Sequence, residues 1–187
     1  MHVLQSLILG IPVVVAGSPM LIERSPTSPF ALFAYGDGIG GAPVFTDGES
    51  AYIGRATRLN DSEAAQVQFI GGTDNSLLAS PNTTAGNAPT WSNLTFMVPD
   101  MTSSSHQVGF ANSTISGGGS ASEFVFYGDF LLHKNTDGDI NGLWYAVPSD
   151  EDRIWTLNWN STDDDTEEKV LVTLKATPPS RTMDKNI

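Results

Sequence analysis

The chain is 187 residues long, carries no cysteine, and sets 9 Lys and Arg against 21 Asp and Glu for a net charge of −12. Disulfide stapling and thiolate metal sites are therefore excluded. So acidic a surface also speaks against nucleic acid and anionic membranes, which are bound mainly through cationic contacts. At this length one hydrophobic core can suffice, since a domain of this size buries roughly 70% of the surface its unfolded chain exposes.

The first five residues hold no Lys or Arg, Leu7 to Ala16 is an apolar run, and Ala16, Gly17 and Ser18 are small. That order predicts a signal peptide over 1–17 and a secreted, extracellular or cell-wall location. The run falls short of the ~20 apolar residues of a membrane span, and no second run follows it. Residues 18–29, ending in ERSPTSP, predict a flexible lead-in, and 178–187 a polar tail without a hydrophobic anchor signal.

From Phe30 to Thr177 short apolar stretches alternate with Gly, Pro, Asn, Asp and Ser, which predicts an all-β domain. The expected strands are Phe30–Tyr35, Ala42–Thr46, Ser50–Ile53, Ala65–Ile70, Trp91–Val98, Gln107–Ala111, Phe124–Leu132, Leu143–Val147, Arg153–Trp159 and Glu168–Ala176. These make about ten strands, as in a single-domain β-sandwich of Greek-key or jelly-roll type. In Trp91–Val98 the alternation turns Leu94, Phe96 and Val98 inward, and in Glu168–Ala176 it separates Val170, Val172 and Leu174 from Lys169, Leu171, Thr173 and Lys175. A single helical turn is expected near Asp61–Ala65, and surface loops over Ser80–Thr90 and Ser113–Ser122.

Phe33-Ala-Tyr-Gly-Asp37 is echoed by Phe126-Tyr-Gly-Asp129, which leaves a duplicated half-domain or a chance repeat of turn chemistry as alternatives. The run from Phe30 to Phe45, with Asp47–Gly54 and Gly142–Pro148 after it, resembles small secreted proteins of filamentous fungi without assigned function. In layout it is more distantly similar to phialide-type fungal cell-wall proteins. The resemblance spans most of 28–177 and implies a secreted or wall-associated β protein. Its motifs are structural, and it transfers no active-site residue.

Five N-x-Ser/Thr sequons, at Asn60, Asn82, Asn93, Asn112 and Asn160, exceed the roughly two expected by chance and predict N-glycosylation. Asp137, Asp139 and Asn141 read D-x-D-x-N-G with Gly142, the first half of a calcium loop, although Pro148 stands where its bidentate Glu belongs. The competing reading of that segment is a polar hairpin turn. Trp91, Trp144 and Trp159 are candidate platforms for stacking on sugar rings, in competition with a place in the core. Catalytic signatures are absent: no G-x-S-x-G elbow and no H-E-x-x-H occur. His106 and His133 are the only histidines after the leader. Asp37 and Asp129 are the one carboxylate pair offered by the echo.

The expectation is thus a non-enzymatic secreted glycoprotein that binds a cell-wall polysaccharide or other glycan, with no cofactor except possible calcium. Its rivals are a glycosidase-like hydrolase using paired carboxylates, and a purely structural wall glycoprotein or effector.

Overall fold

A computed structural model describes residues 26–84, 86–100, 103–112, 119–160 and 162–180. The expected signal peptide, most of the lead-in and the end of the tail lie outside the described residues. The protein is all-β. Its strands are β1 (Phe33–Gly36), β2 (Ile39–Thr46), β3 (Ala51–Ile53), β4 (Ala65–Gly71), β5 (Leu77–Pro81), β6 (Leu94–Pro99) and β7 (Gly109–Ala111). They continue with β8 (Gly119–Ser120), β9 (Phe124–Tyr127), β10 (Phe130–Lys134), β11 (Ile140–Asn141), β12 (Tyr145–Pro148), β13 (Trp155–Asn158) and β14 (Val170–Lys175). Short 3-10 turns occupy Ala56–Arg58 and Thr73–Asn75, and no described helix is long and apolar enough to cross a membrane.

Antiparallel pairing closes six strands into a barrel, in the order β1, β2, β3, β13, β12, β14 and back to β1. Two strands extend the structure beyond that ring. β2 pairs with β1 along its first half and with β4 at Phe45–Thr46. β14 pairs with β12 at Val170–Leu171 and with β10 at Lys175. From β4 the chain runs through β5, β6 and β7. It returns to the edge of β3 by the Ser50–Gly109 bridge, with Ala51 N–H donating to Val108 O at 3.0 Å and Phe110 N–H to Glu49 O at 2.7 Å. A second ring thus shares β2 and β3 with the first, so few backbone edges are left unpaired.

The expected alternation holds where it was strongest. Leu94, Phe96 and Val98 are buried, as are Val172 and Leu174, while Leu171 is 64% exposed. Three expectations are corrected. Phe124–Leu132 is not one strand but the hairpin β9–β10, broken at Gly128–Asp129 because Gly128 takes φ 60, a left-handed value natural to glycine. The expected loop from Ser80 begins inside β5, whose Leu77 and Ala79 are buried. The helical turn at Asp61–Ala65 is only a hydrogen-bonded turn, Ala64 N–H to Asp61 O at 3.3 Å.

The core is a chain of aromatic rings. Phe30 meets Phe69 and Phe126, Phe69 meets Phe96, and Phe96 meets Phe110, Phe124 and Trp144 at centroid separations of 5.3 to 6.2 Å. Trp144 and Trp159 are packed edge to face at 4.4 Å. These offset and edge contacts suit the ring quadrupoles and add to the stabilisation from burial. Phe96 is the hub, so Phe96→Ala is expected to cost roughly 3–5 kcal/mol by loss of burial and an unfilled cavity. Urea unfolding measures it. A cost under about 1 kcal/mol would show that this ring is not packed as described.

Candidate functional site

Most of the residues that looked functional in the sequence are structural in the fold. Trp144 is 1% and Trp159 3% exposed, and the Trp144 indole N–H donates to Leu131 O at 2.8 Å. Neither can stack on a sugar, because both faces are covered by protein. Trp91 is half-buried, donates to Glu63 O at 2.7 Å, and covers the Gly48 turn, where an added Cβ would lie 3.1 Å from its ring. It braces that turn.

The supposed calcium loop is a hairpin turn. Asn135, which lies outside the motif, closes it: its Oδ1 accepts from Asp139 N–H at 2.8 Å, and its N–H donates to Asp139 O at 2.9 Å. Asp137 and Asp139 are exposed and Asn141 is a strand residue opposite His133. Among the described residues no three His, Asp or Glu side chains converge to hold a metal. The calcium reading is withdrawn, because Asp, Asn and Gly act here as turn formers.

Each Tyr-Gly-Asp segment reaches a hairpin tip, but one residue out of step: Asp37 is the first residue of the Asp37–Gly38 turn and Asp129 the second of the Gly128–Asp129 turn. Asp37 follows Gly36, opposite Val172, whereas Asp129 precedes Phe130, opposite Lys175. The tips lie at different levels of β14, about 10 Å or more apart at ~3.3 Å per residue. Both carboxylates are exposed on turns, so they do not frame a common cleft.

Of the sequon asparagines, Asn60, Asn93 and Asn112 are exposed and Asn82 is half-buried, its Oδ1 accepting from Thr84. Asn160 differs. It is 2% exposed, and its Nδ2, the atom a glycan would occupy, donates to Asp163 at 2.7 Å. Asn160 is therefore struck from the expected acceptors.

His133 is buried between Phe124 and Trp159, with its Nε2 3.0 Å from the Ser120 hydroxyl. The pair has the spacing of a nucleophile and its base. However, no hydrogen-bond partner reaches Nδ1 among the described residues, so nothing orients the ring as an acid residue does in a triad. Burial pushes the imidazole below its ordinary range, against smaller opposing effects of the Ser122 backbone and Glu123. Nearby, burial and then Asp164 raise the Tyr145 hydroxyl, which donates to that carboxylate. Burial works against ionisation of Asp164, but hydrogen bonds from Thr166 and Tyr145 and the charge of His106 outweigh it and hold the carboxyl at about 2. This pair fastens the loop after Asn160 to β12.

The most site-like surface is a groove of about 550 Å³ beside the β9–β10 hairpin. Alternation sends Phe124, Phe126, Leu131 and His133 inward, leaving Val125, Tyr127, Leu132 and Lys134 outward, and Ile140 of β11 joins them. Tyr127 is 54% exposed. Asn75, Glu123 and the buried Phe126 complete the lining, and Glu123 pairs with Lys134 at 3.4 Å. The backbone at this end is unusual. Asp74, Asn75 and Glu123 all have positive φ, and Glu123 N–H donates to Asp74 O at 3.1 Å. Left-handed backbone costs a non-glycine residue roughly 1–2 kcal/mol, and such conformations cluster at functional sites. The groove thus offers an apolar floor, an exposed phenol, and an amide, a carboxylate and an ammonium at its rim. It was missed in the sequence, although apolar residues at both parities of FVFY and FLLHK were the available signal.

No protein-family model matches the chain, and no curated protein or solved structure matches it either.

Two outcomes are expected. In the unfolded chain His133 titrates near 6.5 and in the fold lower, so its contribution to stability is complete above 6.5 and is lost as pH falls toward the folded value. Thermal melting at pH 5 to 8 should therefore show His133→Phe less acid-sensitive than the wild type, and parallel profiles would refute this. Glycopeptide mapping of the protein expressed through a secretory pathway should find Asn160 unmodified. A fully occupied Asn160 would contradict its buried amide.

Proposed function

We propose that this is a secreted, N-glycosylated extracellular or cell-wall protein that binds carbohydrate without catalysis, through the Tyr127 groove. The observation that carries the reading is the composition of that groove: an exposed aromatic ring beside apolar Val125, Leu132 and Ile140, rimmed by Asn75, Glu123 and Lys134. A pyranose ring presents an apolar C–H face and a hydroxyl rim, and such a lining complements both. The export signal and the accessible sequons Asn60, Asn93 and Asn112 fit an extracellular setting. In architecture, the reading keeps a sandwich-like layering of the barrel. Its support is that Phe96 of β6, which meets Phe69 of β4, also packs against Phe124 of β9 and Trp144.

The test is a panel of cell-wall polysaccharides and their oligosaccharides presented to the secreted glycoprotein. Saturable binding to one polymer is expected, weakened about fivefold or more by Tyr127→Ala, since stacking on an aromatic ring is commonly worth about 1 kcal/mol or more. Binding to no glycan, or binding indifferent to Tyr127, would favour a structural role.

A further inference from the structure

A second cleft, of about 210 Å³, lies between the end of β3 and the start of β13. It is lined by Arg55, Arg58, Arg153, Trp155, Ala42 and Pro43, with Gly38 and Gly54. Arg55, Arg58 and Arg153 are all the arginines among the described residues, so a chain of net charge −12 gathers its described guanidinium groups in one place. The lining includes no acidic side chain.

The cleft is also built at a cost. Arg153 has φ 57, and an added Cβ at Gly54, itself at φ 134, would lie 2.7 Å from the Arg153 carbonyl oxygen. The two backbones therefore approach closely only because residue 54 is glycine, and a strained residue carries one of the cations. Asp152 shows what chemistry fits there. Its Oδ2 lies 3.6 Å from Arg58 and 3.8 Å from Arg153, while its side chain is 89% exposed. One carboxylate oxygen thus sits beside two guanidinium groups, too loosely for a good hydrogen bond and with almost no burial to secure it.

We propose that this cleft binds a carboxylate-bearing sugar, a uronate residue of an acidic polysaccharide, with Asp152 occupying the carboxylate position until the ligand displaces it. Guanidinium groups match a planar carboxylate in geometry as well as charge, whereas a lysine matches only the charge. The half-buried Trp155 supplies a wall for the pyranose ring. The volume is that of about seven water molecules, which suits one sugar residue and not a chain of them. This site is independent of the Tyr127 groove.

The experiment titrates the secreted protein with a short oligogalacturonate, its methyl ester, and inorganic sulfate, at about 0.15 M salt, where the Debye length is ~8 Å and the protein's net negative charge is largely screened. Four proteins are compared: wild type, Arg153→Gly, Asp152→Asn and Tyr127→Ala, each checked by melting temperature. Glycine accepts the φ of residue 153, so Arg153→Gly removes the guanidinium without disturbing the backbone. The expected result is saturable binding of the acid form, weakened at least tenfold by Arg153→Gly, strengthened about threefold or more by Asp152→Asn, unchanged by Tyr127→Ala, and at least tenfold weaker for the ester. Equal binding of acid and ester, an unaffected Arg153→Gly, or no saturable binding would overturn the proposal. Sulfate competing as well as the oligomer would overturn its sugar component.

Discussion

The molecule depends on β2. Its eight residues pair with β1 along their first half, with β3 on one side at the far end, and with β4 on the other. Two rings of strands are fastened through that segment in a chain with no cysteine to cross-link them. Phe45 and Thr46, where the partner changes, are both fully buried, and Phe45 stacks on Tyr52 at 5.2 Å. Backbone pairing and apolar packing thus converge on the same few residues. Long-range antiparallel pairing of this kind brings segments far apart in sequence together, a topology associated with slow folding.

That architecture explains where the large aromatics went. With no disulfide available, the core takes up Phe69, Phe96, Phe110, Phe124, Phe126, Trp144 and Trp159. Among the described residues this leaves at the surface a tyrosine on the β9–β10 hairpin and the arginines beside Trp155, the two places proposed for binding. Both surfaces coincide with non-glycine residues of left-handed backbone, Asp74, Asn75 and Glu123 at one and Arg153 at the other. Such strain persists only where the surrounding hydrogen bonds and packing hold it in place.

The sequence revealed the class and the inward faces of the strong strands because strand periodicity is local. The alternation in LTFMV and VLVTLK is readable without knowing which strand lies alongside. Closure into a barrel was not readable, since it rests on long-range pairings, β1 with β14 and β3 with β13, that no local pattern encodes. Tryptophan burial was undetermined for the same reason: a row of large rings on a strand looks alike whether its face meets solvent or another layer. The motif at Asp137–Asn141 misled because turn formers and calcium ligands draw on the same residue types. Asn160 misled because a sequon encodes an acceptor site but not the hydrogen bond to Asp163 that occupies its amide. The arginine cleft was invisible, with its three cations spread from residue 55 to residue 153 and joined only by the pairing of β3 with β13.

On the proposed reading, glycan binds the exposed groove at the β9–β10 hairpin and not the tryptophans. Chemical-shift mapping on isotope-labelled protein, titrated with the oligosaccharide fragments of a bound wall polysaccharide, tests it most directly. Perturbations are expected to centre on Val125, Tyr127, Leu132, Lys134 and Ile140, with the Trp144 and Trp159 indole signals unmoved. Perturbations centred on Trp91, or spread through the core tryptophans, would contradict it.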